Sequence, residues 1–183
     1  MSEAALNDGE VALRPWQKGD AEALVACIDG DPEITRWLDQ VPQPYGLADA
    51  YAYIGGIGET SFAITDARTG RVLGSIGVHW NDEGDVAEIG YWLRADARGA
   101  GATTRALVLA ARWALARPGA GRVQLRADVE NVPSRRVAEK AGFRLEGVLR
   151  SAHWNPRLGR RQDWAMYSLL PGEGGCQAPR SGA

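Results

Sequence analysis

A short glycine-rich segment offers the clearest chemistry in the sequence, because it joins a predicted strand to a predicted helix. It reads Arg98-Gly99-Ala100-Gly101-Ala102-Thr103, and a run rich in Ala, Leu and Arg follows. At a helix start the backbone N–H groups lack intrahelical partners, and the helix dipole adds partial positive charge. Small residues let this backbone approach an anion closely, so the segment predicts a phosphate site. Arg98 either adds direct charge or braces the loop.

Two other interpretations of this segment are open from its residues alone. One is a plain turn before a core helix. The other is a dinucleotide-binding fold, since the glycine spacing is similar to G-x-G-x-x-G, although Thr104 occupies the third glycine position. A dinucleotide domain opens with parallel strands, whereas this segment follows a predicted antiparallel meander. A P-loop is excluded, because no lysine follows the glycines.

Three other side chains could handle protons, and each also has a purely structural explanation. Glu88 shares one face of a predicted strand with Gly90 and Trp92, and it is either a general base or a solvated carboxylate. Ser134 falls in the first turn of a predicted helix, and it is either a proton donor or a plain first-turn hydroxyl. His153 follows a predicted strand and suits proton transfer near neutral pH, or it is a surface histidine.

The elements that position these residues follow from hydrophobic period and turn residues. Asp20 is predicted to cap one helix, and a second helix begins at Asp31. Further helices are predicted at 49–57, 103–117 and 133–141, and strands at 11–16, 61–65, 72–80, 85–93, 123–129, 144–150 and 162–170. Short turns join the second, third and fourth strands into an antiparallel meander. This order predicts a mixed α/β (α+β) sheet with helices on its faces.

Two motifs in the right order carry a family resemblance. The loop from Arg98 to Thr103 resembles the Arg/Gln-x-x-Gly-x-Gly/Ala motif of the GNAT superfamily of N-acetyltransferases, with Thr103 in place of the usual Gly or Ala. The segment Asn131-Val132-Pro133-Ser134, followed by Glu139-Lys140-Ala141-Gly142-Phe143, resembles the RimJ/RimL branch, which includes ribosomal-protein N-terminal acetyltransferases. Leu13-Arg14-Pro15-Trp16 is also similar to that branch, so the resemblance spans residues 11 to 171.

The resemblance implies a GNAT fold, with a mostly antiparallel central sheet, helices on both faces and a splayed strand pair that holds acetyl-CoA. Pantetheine would pair with backbone groups of the strand, and the diphosphate would lie on the loop. The implied cofactor-binding residues are Leu93, Arg94, Arg98, Gly99, Ala100, Gly101, Ala102, Thr103, Asn131 and Ser134. Asn131 also has a structural explanation, because Asn before Pro133 is a natural helix cap.

The implied activity is transfer of acetyl from acetyl-CoA to a primary amine by direct attack in a ternary complex. Ser134 would give a proton to the departing CoA thiolate. A base must take a proton from the amine, and the resemblance favours Glu88, with His153 as the second candidate. Trp37, Trp92 and His153 would contact the acceptor, although core packing explains the tryptophans as well.

The acceptor itself does not follow from the sequence. Relatives of this branch acetylate protein N-termini or small-molecule amines. Two other functions stay open: a GNAT module that binds acetyl-CoA without turnover, and a dinucleotide-dependent oxidoreductase built on Gly99 and Gly101. A homodimer is compatible with the family resemblance.

Composition places limits on location and partners. The 183 residues carry a net charge of −2, which gives no support to nucleic-acid binding. Cys27 and Cys176 stand alone, so no metal site is predicted. The sequence has no signal-peptide pattern and no apolar run of membrane-spanning length, so a cytoplasmic protein without membrane partners is expected. The predicted domain covers 11–171, between a flexible N-terminus at 1–10 and a disordered tail at 172–183.

Overall fold

Seven strands and five helices form in residues 6–58 and 60–173, which the computed structural model describes. The strands are β1 (Val11–Pro15), β2 (Ser61–Asp66), β3 (Val72–Trp80), β4 (Val86–Leu93), β5 (Arg122–Asp128), β6 (Arg144–Asn155) and β7 (Arg160–Leu169). The helices are α1 (Ala21–Ile28), α2 (Pro32–Trp37), α3 (Leu47–Gly56), α4 (Ala102–Leu115) and α5 (Val132–Lys140). Short 3-10 turns occupy Lys18–Asp20 and Ala95–Ala97.

The strands form one sheet in the order β1-β2-β3-β4-β5-β7-β6. Every neighbouring pair is antiparallel except β4 and β5, which run parallel. The predicted mixed, mostly antiparallel sheet is therefore confirmed, and so is the β2-β3-β4 meander. A doubly wound parallel sheet, which the dinucleotide-dependent alternative requires, is absent from the described residues.

The two parallel strands separate soon after they meet. Val86 to Glu88 pair with Arg122 to Gln124, and no pairing follows as β4 continues to Leu93 and β5 to Asp128. This is the splayed strand pair that the resemblance predicted. It leaves an opening in the middle of the sheet.

Helices cover both faces of the sheet. Buried side chains of α4, such as Leu107 and Ala110, pack on one face with Ile76, Val78 and Leu125. On the other face α1 to α3 contribute a second apolar cluster that includes Leu24, Ile34 and Ala50. The sheet thus has a hydrophobic core on each side, which holds the opening between two packed layers.

The helices α1, α2 and α5 begin directly after the predicted residues Asp20, Asp31 and Asn131. The Asp31 carboxylate accepts from the N–H of Glu33 at 3.0 Å and caps α2. Asp20 occupies the N-cap position of α1 as predicted, but its side chain makes no capping bond there. The carboxylate instead binds both terminal nitrogens of Arg14, at 2.7 and 2.8 Å, and the N–H of Gln17 at 2.8 Å.

Strand β6 is longer than its sequence predicts. It runs to Asn155 and forms a hairpin with β7. His153 was predicted to follow this strand, but it lies within β6, opposite Gln162 of β7. The pairing is interrupted by register shifts between Leu145 and Gly147 and between Leu149 and His153. Such irregularities weaken a periodic signal, which explains why the strand was predicted short.

Residues 1–5, Glu59 and 174–183 lie outside those described. The predictions for Cys176, for most of the tail and for the first half of the N-terminal segment concern these residues. In the described part of the chain, no helix is long and apolar enough to cross a membrane.

Candidate active site

The opening between β4 and β5 presents an unpaired strand edge. The Arg94 N–H donates to the Leu73 carbonyl at 2.9 Å, so the backbone polar groups of Arg94 face the β3 side of the strand. Because bonding directions alternate along a strand, the N–H and C=O of Leu93 and Tyr91 point away from β3, toward the space that β5 leaves. An extended ligand with amide groups can pair with such an edge.

The loop that follows β4 keeps its backbone donors free. Gly99 and Gly101 both have φ of +83°, a left-handed conformation that favours glycine. Gly101 is the residue that precedes α4, and an added Cβ at either glycine would meet nothing within 4 Å. None of the described hydrogen bonds is donated by a backbone N–H of residues 99–104. The loop therefore has the open side and the donors that a phosphate group needs.

Arg98 braces this loop. Its Nε and Nη2 donate to the Leu93 carbonyl at 3.0 and 2.9 Å, and Nη2 also bonds the buried carboxylate of Asp31. The guanidinium thus ties the loop to the end of β4 and to the start of α2. Of the two roles that the sequence left open, bracing is the one these contacts favour. They also occupy the Leu93 carbonyl, so the Leu93 N–H is the free polar group there.

Asn131 and Ser134 meet at the start of α5. The Asn131 Oδ1 accepts from the Ser134 N–H at 3.2 Å, which is the helix cap that the sequence suggested. The Ser134 Oγ lies 3.0 Å from the hydroxyl of Tyr91. Burial raises the pKa of Tyr91 to about 12, although its bond to Ser134 acts in the opposite direction.

One cavity of about 640 Å³ joins the opening, the loop and the start of α5. All the predicted catalytic and acceptor-binding residues line it, together with most of the predicted cofactor-binding ones. Those lining it are Trp37, Glu88, Trp92, Leu93, Arg98, Gly99, Thr103, Asn131, Ser134 and His153. Arg94, Ala100, Gly101 and Ala102 do not line it. The Arg94 guanidinium instead pairs with Asp96, with Nε and Oδ1 2.6 Å apart.

Glu88 enters this cavity as a paired carboxylate. Its Oε1 accepts from the Nε of Arg126 at 2.9 Å and from Nη2 of the same residue. Its Oε2 accepts from Gln124 Nε2 at 3.2 Å. Both carboxylate oxygens are therefore engaged in hydrogen bonds to neighbouring side chains.

His153 also lines this cavity and is held by two contacts. Its Nε2 lies 2.9 Å from the Asp39 Oδ2, and its ring stacks on Trp164 with centroids 5.2 Å apart. The guanidinium of Arg126 also packs on the Trp164 ring, at 4.5 Å from the centroid. None of the described hydrogen bonds uses His153 Nδ1. An imidazole with a carboxylate on one nitrogen and the other free is arranged to accept a proton.

Sequence reasoning missed Asp39, Tyr91, Arg126 and Trp164. Asp39 is 114 residues from His153 along the chain, and Tyr91 is 43 residues from Ser134, so no spacing links either pair. The alternation that places Glu88 on one face of the strand also places Tyr91 on the other face, which is a signal that could have identified Tyr91. Within the described residues, no group of three His, Cys, Asp or Glu side chains could hold a metal ion.

Comparison with known proteins agrees with this geometry. The family model described as "Acetyltransferase (GNAT) domain" matches residues 10–144. YdaF of Bacillus subtilis, named as a candidate ribosomal N-acetyltransferase, is 35% identical over 175 residues, covering 89% of this chain and 92% of YdaF.

Solved structures share the fold. A GNAT-family acetyltransferase from Bacillus anthracis has a TM-score of 0.80 at 20% identity, covering 90% of this chain and 97% of that one. The microcin self-immunity acetyltransferase MccE, solved with acetyl-CoA and AMP, has a TM-score of 0.74 at 23% identity, covering 90% of this chain and 94% of that one.

Proposed function

We propose that this chain, which belongs to the acetyltransferase (GNAT) family and is an acetyl-CoA-dependent N-acetyltransferase, acetylates a primary amine by direct attack in a ternary complex. The observation that carries the proposal is the single cavity that joins the open strand edge, the loop before α4 and the paired His153 and Asp39. One end of this cavity suits a phosphate-bearing thioester, and the other suits proton removal from an amine.

The chain's own groups fit acetyl-CoA along this cavity. The free N–H groups of residues 99–104 suit the diphosphate, because they combine with the positive end of the α4 dipole. The C=O group of Tyr91 and the N–H of Leu93 suit the amides of pantetheine. Asn131 and Ser134 lie beyond the loop, at the start of α5.

Acetyl-CoA supplies an activated acetyl carbon, to which the amine nitrogen bonds as the carbon–sulfur bond breaks. Farther from the loop along the same edge, the Tyr91 N–H suits the thioester oxygen, which it would polarise. Ser134 stabilises the sulfur by donating a hydrogen bond. A full proton transfer from Ser134 is uphill, because a thiol with a pKa of about 8.5 is a far stronger acid than an alcohol. The thiolate therefore leaves as an anion and is protonated in bulk solvent after release, where the proton taken from the amine balances it.

His153 is the proposed base. The attacking amine must lose a proton, and His153 can accept it at the ring nitrogen that Asp39 does not use. Glu88 is the weaker candidate, because its two oxygens are bonded to Arg126 and Gln124.

The acceptor enters between α2 and β4, where Trp37 and Trp92 line the cavity. Both indole side chains are partly exposed there, which gives an apolar wall beside the base. Likeness to YdaF favours a protein N-terminus, and the small-molecule amine stays as the second acceptor class.

Thiol release from acetyl-CoA tests this proposal. The acceptors are peptides with free and with acetylated N-termini, polyamines and aminoglycosides, and mass spectrometry identifies the acetylated product. Release that depends on a free primary amine supports the proposal. Binding of acetyl-CoA without release on any acceptor of the panel would instead favour the module that binds without turnover.

A further inference from the structure

Tyr91 connects the open strand edge to the first turn of α5. Its backbone faces the opening, while its side chain lies on the face of the sheet that α4 and α5 cover. The phenol oxygen lies 3.0 Å from the Ser134 Oγ and 3.2 Å from the Ser134 carbonyl oxygen. One tyrosine thus contacts both polar atoms that Ser134 presents toward β4.

The geometry restricts where the Ser134 proton can point. The Ser134 N–H is already bonded to Asn131, and the Oγ has Tyr91 as its partner among the described residues. If the phenol donates to the Oγ, the serine proton is free to point into the cavity. If the phenol donates to the carbonyl, the serine proton turns toward the phenol oxygen, away from the cavity.

The phenol has one proton, so it donates either to the Ser134 Oγ or to the Ser134 carbonyl oxygen. Burial raises the pKa of Tyr91 to about 12, so the hydroxyl keeps that proton at neutral pH and does not act as the acid. When the phenol donates to the Oγ, the serine proton is available to the cavity.

We propose that Tyr91 is a positioning residue that aims the hydroxyl proton of Ser134 at the departing sulfur. This rests on the proposed function, which places Ser134 beside that sulfur. No proton leaves Tyr91 during the reaction. The sulfur departs with the electron pair of the carbon–sulfur bond and accepts a hydrogen bond from Ser134, while His153 takes the proton of the amine.

Tyr91→Phe removes only the phenol oxygen and so isolates this contact. We expect kcat to fall about tenfold, the value of one hydrogen bond in the transition state, with the KM for acetyl-CoA within about twofold of wild type. Tyr167→Phe is the matched control. Tyr167 is buried where Tyr91 is partly buried, and its hydroxyl contacts α5 through Arg135 Nε at 3.2 Å and Glu139 Oε1 at 3.1 Å. We expect this control to leave kcat unchanged.

A double-mutant cycle with Ser134→Ala separates positioning from general damage. If Tyr91 acts through Ser134, the double variant has the kcat of Ser134→Ala alone. Additive losses would overturn the proposal, and so would equal losses in the two tyrosine variants or a wild-type kcat in Tyr91→Phe.

The same cycle separates failure of this proposal from failure of the proposed function. A reduced kcat in Ser134→Ala with a normal Tyr91→Phe overturns the role of Tyr91 alone. A normal kcat in Ser134→Ala overturns the roles of both residues. Absence of acetyl transfer by the wild-type enzyme on every acceptor overturns the proposed function itself.

Discussion

At the scale of single residues, the site contrasts two groups that could each take a proton. Glu88 was favoured by family resemblance, yet Arg126 and Gln124 occupy both of its oxygens. His153 has one nitrogen bonded to Asp39, and none of the described hydrogen bonds uses the other. The difference lies in the partners of each side chain, which a residue type alone does not reveal.

Replacement of these two residues has unequal expected effects. His153→Ala should lower kcat about 100-fold, the usual contribution of a general base, whereas Glu88→Gln should lose far less. Steady-state rates of the two variants check this, and a larger loss in Glu88→Gln would assign the base to Glu88.

A sequence is most informative about single residues where neighbouring positions together form a pattern. The loop from Arg98 to Thr103 and the cap at Asn131 could be recognised because neighbouring residues define them. Asp39 could not be recognised, because it meets His153 only after α2 and β6 have packed together. The same applies to Tyr91, whose partner Ser134 belongs to a different element.

At the scale of elements, the start of α4 depends on Gly101 in a left-handed conformation. Gly101→Asp adds a negative charge beside the proposed diphosphate position and should weaken acetyl-CoA binding at least about 100-fold. Gly119→Asp is a matched control, since Gly119 has φ of +86° in the turn after α4, away from the cavity. Both variants bear similar backbone strain, so calorimetry should find lost affinity only in Gly101→Asp. Equal affinities in the two variants would refute the loop assignment.

The connection from β1 to α1 should make stability sensitive to acid. Burial raises the pKa of Asp20, but Arg14 and the N–H of Gln17 lower it by more, so the pKa of the folded carboxyl is lowered overall. A lowered pKa stabilises the fold above the pKa of the unfolded chain, about 3.9, and this contribution disappears as pH falls through the folded value.

Asp20→Asn should therefore lower the free energy of unfolding by about 1.5–3 kcal/mol at pH 7, the value of hydrogen bonds to a charged group. The difference from wild type should shrink at pH 3, as measured by urea unfolding. Glu22→Gln is the control, because Glu22 is an exposed residue in the first turn of α1, and this change should have no effect at either pH. A difference of the same size at both pH values would contradict this account of Asp20.

At the scale of the whole molecule, the β6–β7 hairpin joins the far edge of the sheet to the helical layer over the acceptor end. Asn155 is fully buried, and its Nδ2 donates to the Arg36 carbonyl at 3.1 Å. Its Oδ1 accepts from the N–H groups of Arg157 and Leu158. The guanidinium of Arg157 then reaches the Asp39 carbonyl at 3.3 Å, so the hairpin also positions the partner of His153.

Asn155→Ala should loosen this connection. We expect a loss of about 2–3 kcal/mol in the free energy of unfolding, because buried polar groups lose their partners. The KM for the acceptor should rise while the KM for acetyl-CoA stays unchanged. Asn81→Ala removes a comparable set of bonds in the β3–β4 turn and should change neither KM. Parallel changes in both KM values of Asn155→Ala would show that the hairpin supports the cavity as a whole.

Much of the architecture could be predicted from sequence, because short-range patterns determine it. The turns at 67–70 and 81–84 define the meander, and the change to helical period after Gly101 defines α4. The pairing of β5 with β4 and β7 joins segments far apart in the chain, so only the family resemblance supplied the opening. The extension of β6 to Asn155 was missed because its register is irregular.

Initial rates of thiol release over a matrix of acetyl-CoA and amine concentrations test the central claim most directly. Both substrates must occupy one cavity together, so the account predicts intersecting double-reciprocal lines and release that requires the amine. Parallel lines, with the acetyl group found on the enzyme after incubation with acetyl-CoA alone, would contradict direct attack in a ternary complex.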